Sequence, residues 1–223
     1  MDKDYHCKWV KKRKYTCSAS SLKSWKSLPR TIEPDDVKKL LRKRFTPKDK
    51  CMILMLLRTG MRICELLALE LQDINLKQCM VIIHQGAKTG RERVVYISAD
   101  ANKALRKWIE VRDPKRKYLF YSRCKENMSY ETARSSFIEC LRKAGLKRKG
   151  YSLHFLRHTF ASELLSAGMP LESLQILMGH CNIEVTRRYA RLTNKALEKD
   201  YFRAMQIVER GEIDGSYRNE YQI

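Results

Sequence analysis

Hydrophobic residues recur at the 3.6-residue spacing of an amphipathic helix through most of the chain from residue 31 onward. One predicted helix begins at Pro34. Another begins at Pro47, because a capping residue, Thr46, followed by proline is typical of a helix start. The same spacing predicts further helices over 62–69, from Ser98 onward, and over 129–144, 153–167, 170–178, 182–190 and 194–209.

Two short segments break this helical pattern. Residues 79–84 (CMVIIH) and 93–97 (RVVYI) are rich in β-branched residues and flank a polar turn that contains glycine. They predict a small antiparallel pair of strands. The expected fold class is therefore mainly α with a small antiparallel β-sheet.

The charge of the chain narrows the choice of partner. Its 223 residues include 46 Lys and Arg against 25 Asp and Glu, a formal net charge of +21. Such an excess favours a polyanion, with nucleic acid first and an acidic membrane surface second. The N-terminal segment MDKDYHCKWVKKRKYTC has no apolar stretch of the kind found in secretion signals, and no run approaches roughly 18 apolar residues. We therefore expect a cytoplasmic protein that does not bind a membrane.

The eight cysteines do not form a metal-binding pattern. No CxxC pair occurs, which excludes zinc-finger spacing. We expect reduced thiols that mostly pack in the interior, and neither a metal nor another cofactor.

Residues 1–30 form a separate basic unit, with nine Lys or Arg against two Asp. Two interpretations are open. The unit is either a solvated, flexible terminus or a basic arm that tracks phosphates. The residues predicted to bind DNA in this arm are Lys11, Lys12, Arg13 and Lys14.

The first chemical motif is TGMRICELLAL, residues 59–69. It places Arg62 after a glycine turn at a helix start, with Glu65 three residues later on the same face. An isolated pair of this kind is usually a surface ion pair. The apolar residues on both sides indicate instead that core packing holds the guanidinium at the helix start, where it is well placed to grip an anion.

The second motif is GAKTGRERVVYI, residues 86–97, which presents Lys88 in the turn between the predicted strands. It lacks the full GxxxxGK[ST] pattern, which argues against a nucleotide-binding P-loop. A lysine at a hairpin tip is usually a solvated charge. It becomes a proton donor only if its neighbours fix it near a leaving group and lower its pKa.

The third motif is SLHFLRHTFASELL, residues 152–165. His154 and Arg157 are three residues apart and project from one helix face, and His158 is expected on a different face.

The fourth motif is LMGHCNIEVTRRYARL, residues 177–192. Gly179 ends one helix, and Asn182 can cap the next. His180 therefore lies in a tight turn, and the helix break allows His180 and Tyr189 to converge.

The motifs together supply a set of groups suited to phosphoryl transfer between alcohols, in the order R…K…HxxR…H…Y. Two guanidiniums can hold both non-bridging oxygens of a phosphodiester and neutralise a pentacoordinate transition state. A tyrosine hydroxyl can attack phosphorus to form a covalent phosphotyrosine, while a lysine protonates the leaving sugar oxygen. Because this exchange conserves bond energy, it needs neither ATP nor a divalent metal.

The four motifs resemble the catalytic domain of the tyrosine recombinase (phage integrase) family in order, spacing and flanking sequence. TGMRICELLAL is similar to the family pattern TGxRxSELLxL, and the HxxRHTFA and GH…Y segments match closely. The resemblance covers about residues 31–192, which are the expected catalytic domain. It implies a helical bundle with a small sheet.

The resemblance implies a role for each motif residue. Arg62 and Arg157 clamp the scissile phosphate, and Glu65 is a supporting carboxylate that does not itself contact the phosphate. Lys88 is the general acid on the 5′ oxygen.

For the remaining motif residues, the resemblance implies that His154 and His180 hydrogen-bond the phosphate and assist proton transfer. Tyr189 becomes linked to the 3′ phosphate. The implied activity is site-specific DNA recombination.

The resemblance also implies partners. These are double-stranded DNA and, on DNA, a homo-tetramer that exchanges strands through a Holliday junction; the free protein is expected to be a monomer or a weak oligomer. Residues 193–223 are expected to form a C-terminal helix and tail. The helix either docks on a neighbouring subunit or packs within its own chain, through an apolar stripe of Ala196, Leu197, Tyr201, Met205 and Val208.

One departure from the family pattern concerns DNA recognition. Only about 30 residues precede the match, so we expect no separate core-binding domain, as in the short recombinases that invert fimbrial promoters. The arm at 1–30 is a partial substitute. A second set of candidate phosphate contacts is the basic run of Arg142, Lys143, Lys147, Arg148 and Lys149.

Two alternatives to recombination remain. A type IB topoisomerase uses similar groups to relax supercoils without exchanging partners. A DNA-binding protein without catalysis would fit the net charge equally well, although the presence of Tyr189 and both arginines argues against it.

Overall fold

The computed structural model describes residues 30–84, 92–122, 125–179 and 194–211. The helices within these residues are α1 (Pro34–Arg42), α2 (Pro47–Thr59), α3 (Ile63–Leu67), α4 (Ala99–Val111), α5 (Tyr130–Lys143), α6 (Leu153–Ser166), α7 (Leu171–Met178) and α8 (Asn194–Arg210). The strands are β1 (Ile74–Asn75), β2 (Met80–His84) and β3 (Glu92–Tyr96), and short 3-10 turns cover Leu71–Asp73 and Lys147–Lys149. The predicted fold class, mainly α with a small antiparallel sheet, is confirmed. The predicted helix over 182–190 and residues 1–29 of the basic arm lie outside the described residues.

Helix α2 lies at the centre of the fold. Thr46 caps it by accepting a hydrogen bond at 3.2 Å from the amide of Asp49, and Pro47 occupies the first helical position, as predicted. Every residue from Cys51 to Thr59 is buried. This part of the helix is therefore covered on all sides, with α4 and α6 packed against α2.

The sheet is antiparallel throughout, in the order β1-β2-β3. The pairing of β2 with β3 runs from Met80 opposite Tyr96 to His84 opposite Glu92. Strand β1 adds an edge that the sequence did not predict, because two residues are too few to show an alternating pattern. The chain between β2 and β3 contains Lys88.

Helix α3 is shorter than predicted. The hydrophobic pattern indicated a helix over 62–69, but α3 ends at Leu67 and Arg62 is its N-terminal cap residue. The carbonyl oxygen of Leu69 accepts a hydrogen bond at 2.8 Å from the amide of Leu119, and Glu70 forms a β-bridge with Tyr118. This pairing with a distant segment draws the chain out of the helix.

A hydrophobic cluster of buried residues joins α8 to α6 and α7. Tyr201, Met205 and Val208 of the predicted apolar stripe are buried in it within their own chain. Tyr201 also donates a hydrogen bond at 2.7 Å to the carbonyl oxygen of Arg58 in α2. These three residues of the stripe therefore pack within their own chain, which is one of the two arrangements expected. The side chains of Ala196 and Leu197 are not among those that the structure describes.

Candidate functional site

Arg62 lies at the junction of α2 and α3. Gly60 turns the chain with a φ of 63°, and Met61 is completely buried, so core packing fixes the start of α3. The backbone amide of Arg62 donates to Oε2 of Glu65 at 2.6 Å, and its Nη1 donates to Oε1 at 3.0 Å. Arg62 and Glu65 are thus paired at a packed helix start, as the sequence predicts.

Glu65 also binds Arg93 of β3, a residue that no sequence motif singled out. Arg93 donates from Nη1 to Oε1 at 2.9 Å and from Nη2 to Oε2 at 2.7 Å, and the two side chains are only 8% and 11% exposed. Burial alone would raise the pKa of Glu65, but the hydrogen bonds and the charge of Arg93 outweigh it, and the pKa is lowered. Glu65 is therefore an ionised carboxylate that two guanidiniums share.

Arg157 reaches the same junction from α6 and is buried. Its Nη1 donates to the carbonyl oxygen of Gly60, and its Nη2 donates to that of Met178 at 2.6 Å. Burial, followed by the positive charge of Arg62, lowers the pKa of Arg157 to about 10. The guanidinium stays charged at neutral pH, and it lies close enough to Arg62 for the two charges to repel.

Three guanidiniums meet at the C-terminal end of α7, each on one of three successive main-chain carbonyl oxygens. Arg93 Nε binds Leu177 at 3.0 Å, Arg157 Nη2 binds Met178 at 2.6 Å, and Arg62 Nη2 binds Gly179 at 3.5 Å. The last carbonyl groups of a helix lack partners within it and carry partial negative charge, so they attract cations. Arg62, Arg93 and Arg157 are named the arginine cluster below. Among the described residues, Glu65 is the carboxylate that contacts this cluster, so three positive charges face one negative charge.

His154 lies on the exposed surface of α6. Its ring meets that of His158 edge-on, with 5.5 Å between ring centroids. The expectation that His158 lies on a different face is wrong, since residues four apart are neighbours on a helix. Burial, then the charges of His154 and Arg157, lowers the pKa of His158. His158 is therefore harder to protonate than an ordinary histidine, and its ring lies beside that of the more exposed His154.

The remaining predicted catalytic residues, Lys88, His180 and Tyr189, lie outside the described residues. The same is true of the predicted DNA contacts Lys11, Lys12, Arg13 and Lys14. Residues that flank Lys88 and His180 in sequence are described, and they show where the segments with these two residues begin. Residues 85–91 join the paired ends of β2 and β3, and residue 180 directly follows the carbonyl group that Arg62 binds.

The base of the segment that contains Lys88 is held by His84, at the end of β2. Its ring is hydrogen-bonded to Glu92 at 2.8 Å and to Asp73 at 3.1 Å. The hydrogen bond that the ring donates to the carboxylate of Glu92, followed by the one to Asp73, favours the protonated ring and raises the pKa of His84. These contacts link His84 and Glu92, which flank residues 85–91, to Asp73 in the 3-10 turn that precedes β1.

The five residues of the predicted basic run differ in how their charges are used. Arg142 makes a two-pronged contact with Glu139, with both distances 2.7 Å, and Lys143 lies 3.9 Å from the same carboxylate. Lys149 lies 3.7 Å from Asp36. Lys147 and Arg148 are exposed, and no ion pair of theirs occurs among the described residues. These two cations are the best placed of the run for an external anion.

The described residues contain no group of three or more His, Cys, Asp or Glu arranged to hold a metal ion. None of their helices combines the length and the apolar character needed to cross a membrane.

Comparison with known proteins identifies the class of protein. The model of the phage integrase family matches residues 30–196. The chain therefore belongs to the phage integrase family, as its motifs suggested.

Individual relatives fall in the same class. The chain is 30% identical over 184 residues to the tyrosine recombinase XerA of Pyrococcus horikoshii, which covers 82% of this chain and 64% of the relative. A crystal structure of XerA recombinase is 26% identical, with a TM-score of 0.64 over 78% of this chain and 65% of that one. The XerH site-specific recombinase, solved bound to its difH substrate, shares the fold at 24% identity, with a TM-score of 0.60 over 78% of this chain and 54% of that one. The chain spans less than two-thirds of the length of each of these proteins.

Proposed function

We propose that this protein is a site-specific DNA recombinase that cleaves and rejoins DNA strands through a 3′-phosphotyrosine intermediate. The observation that carries the proposal is the meeting of Arg62 and Arg157 at the carbonyl oxygens of adjacent residues. A guanidinium has five N–H donors, and the contacts described above use two on each of these arginines. A phosphodiester would accept from the others and supply the negative charge that the arginine cluster lacks.

In the proposed reaction, the hydroxyl group of Tyr189 gives its proton to His154 or His180 as its oxygen attacks phosphorus and forms a phosphodiester link to the 3′ end. The bond from phosphorus to the 5′ oxygen breaks, and Lys88 gives that oxygen a proton. Arg62 and Arg157 stabilise the pentacoordinate phosphorus between these events, while His154 and His180 hydrogen-bond its oxygens. Rejoining is the same sequence in reverse, so neither ATP nor a metal is consumed.

The proposed partners are double-stranded DNA and three further copies of the chain assembled on it. The net charge of +21 supports a polyanionic partner. The relatives named as recombinases favour strand exchange over simple relaxation of supercoils.

The proposal is tested with a pool of nicked DNA duplexes of random sequence, incubated with the protein in EDTA without ATP. A nick beside the cleaved position lets the short 5′-hydroxyl fragment diffuse away, which traps the covalent complex. We expect a complex that survives SDS with the wild-type protein, and none with Tyr189→Phe.

Other outcomes point to other functions. A complex that persists in Tyr189→Phe contradicts the assigned nucleophile. Relaxation of a supercoiled plasmid by the monomer, without joining of two DNA sites, indicates a topoisomerase. Tight binding to the pool with no covalent complex indicates a DNA-binding protein without catalysis.

A further inference from the structure

Arg93 contacts two separate parts of the proposed site through one side chain. Its two Nη groups hold the carboxylate of Glu65, and its Nε holds the carbonyl oxygen of Leu177. We infer that Arg93 is a positioning residue, which sets Arg62 and the end of α7 relative to each other for the reaction proposed above, on which the inference rests.

The first contact acts on Arg62 through Glu65. The carboxylate accepts from both the amide and the guanidinium of Arg62, so its orientation sets the direction of that guanidinium. A terminal carboxylate turns readily about its last bond unless its partners prevent it. The parallel pair of hydrogen bonds from Arg93 prevents that rotation, because it engages both oxygens at once.

The second contact acts on the segment that leads to His180 and Tyr189. Leu177 is in the last turn of α7, two residues before Gly179, whose φ is 61°. By binding the carbonyl oxygen of Leu177, Arg93 links β3 to the end of this helix. The direction in which the chain leaves α7 is therefore tied to the same side chain that orients Glu65.

Arg93 is suited to positioning rather than to contact with DNA. Its side chain is 8% exposed, against 38% for Arg62. Its contacts use three nitrogens of one planar group, and the compact ammonium of a lysine cannot span them. Lysine at this position would keep the positive charge but could not make all three hydrogen bonds. The Arg93→Lys variant therefore separates the effect of the charge from that of the hydrogen-bond geometry.

The experiment compares Arg93→Lys with Arg112→Lys. Arg112 is a matched control, since it is also a buried arginine that donates to two main-chain carbonyl oxygens, those of Arg116 and Tyr118 in the segment after α4. Each variant is assayed for thermal stability, for DNA affinity and for the rate of covalent complex formation. The hydrogen exchange of the Arg62 Nε–H group is also followed by ¹⁵N NMR in the free protein.

The expected result for Arg93→Lys is loss of at least about tenfold in cleavage rate, because small displacements at a reacting centre are costly. DNA affinity stays within about twofold of wild type, stability stays close to that of Arg112→Lys, and exchange at Arg62 becomes faster. Arg112→Lys leaves both cleavage and the exchange at Arg62 unchanged.

The rate of hydrogen exchange at the Arg62 Nε–H group tests the positioning role of Arg93 independently of catalysis. If it is unchanged in Arg93→Lys, the inference is overturned, whatever happens to cleavage. If the wild type itself forms no covalent complex, the proposed function fails, while faster exchange in the variant still supports positioning by Arg93. Arg93→Gln replaces the lysine variant if that variant does not fold; if neither folds while Arg112→Lys does, Arg93 is required for folding and the inference is overturned.

Discussion

Arg157 donates a hydrogen bond to the carbonyl oxygen of Gly60, the residue that ends α2 in a left-handed conformation. The turn that directs Arg62 out of the core is therefore the same turn that anchors the second arginine of the proposed clamp. The spacing between the two guanidiniums is set by a buried contact from the side chain of Arg157 to a main-chain oxygen 97 positions away.

The first prediction concerns Gly60→Ala. At a φ of 63° a Cβ is strained by about 1–2 kcal/mol. The added atom would also overlap the ring of Phe160 and lie 3.1 Å from Sδ of Met178, and such overpacking costs about 1–3 kcal/mol. We expect the free energy of unfolding in urea to fall by about 2–5 kcal/mol. Gly150→Ala is the control, because its φ is 67° but nothing lies within 4 Å of the added atom. Equal losses in the two variants would show that packing does not require a glycine at position 60.

The second prediction concerns the pH dependence of stability through Glu65. Burial opposes ionisation, but Arg93 lowers the pKa of Glu65 below its ordinary value of 4.5 in the folded protein. The ionised carboxylate therefore stabilises the fold above about pH 4.5, and the contribution is lost as the pH falls through the lower folded pKa. We expect wild type to exceed Glu65→Gln in unfolding free energy at neutral pH, and the gap to narrow progressively below about pH 4.5. A gap that stays constant from neutral pH to about pH 3 would show that the charge of Glu65 does not stabilise the fold.

The third prediction separates the residues of the basic run. Lys147 and Arg148 are exposed cations without an ion pair among the described residues, whereas Arg142 is held by Glu139. We expect the double variant Lys147→Gln/Arg148→Gln to bind DNA more weakly. The slope of log affinity against log salt should become shallower by roughly 0.9 for each lost phosphate contact. Arg142→Gln serves as the control and should change the slope much less. If Arg142→Gln makes the slope shallower by half as much as the double variant does, the pairing with Glu139 does not restrain Arg142.

Local signals accounted for much of the fold and for the pairing of Arg62 with Glu65. The start of α2 follows from Thr46 and Pro47, and the pairing follows from a spacing of three on one helix. Arg93 was missed because its partners Glu65 and Leu177 are 28 and 84 positions away, and nothing near it in sequence marks either contact.

Two other sequence predictions failed, one for a similar reason and one for a different reason. The end of α3 was misplaced because the chain after it pairs with the segment around Leu119, far along the sequence. The position of His158 was wrong for a local reason, since residues four apart on a helix share a face and the prediction overlooked it.

The most direct test of the account is to identify the amino acid that becomes attached to DNA. The trapped covalent complex would be digested with nuclease and protease, and the peptide that carries the residual nucleotide sequenced by tandem mass spectrometry. The account predicts a phosphodiester link from the hydroxyl oxygen of Tyr189 to a 3′ nucleotide. Attachment at any other residue, or at the 5′ side of the break, would contradict it.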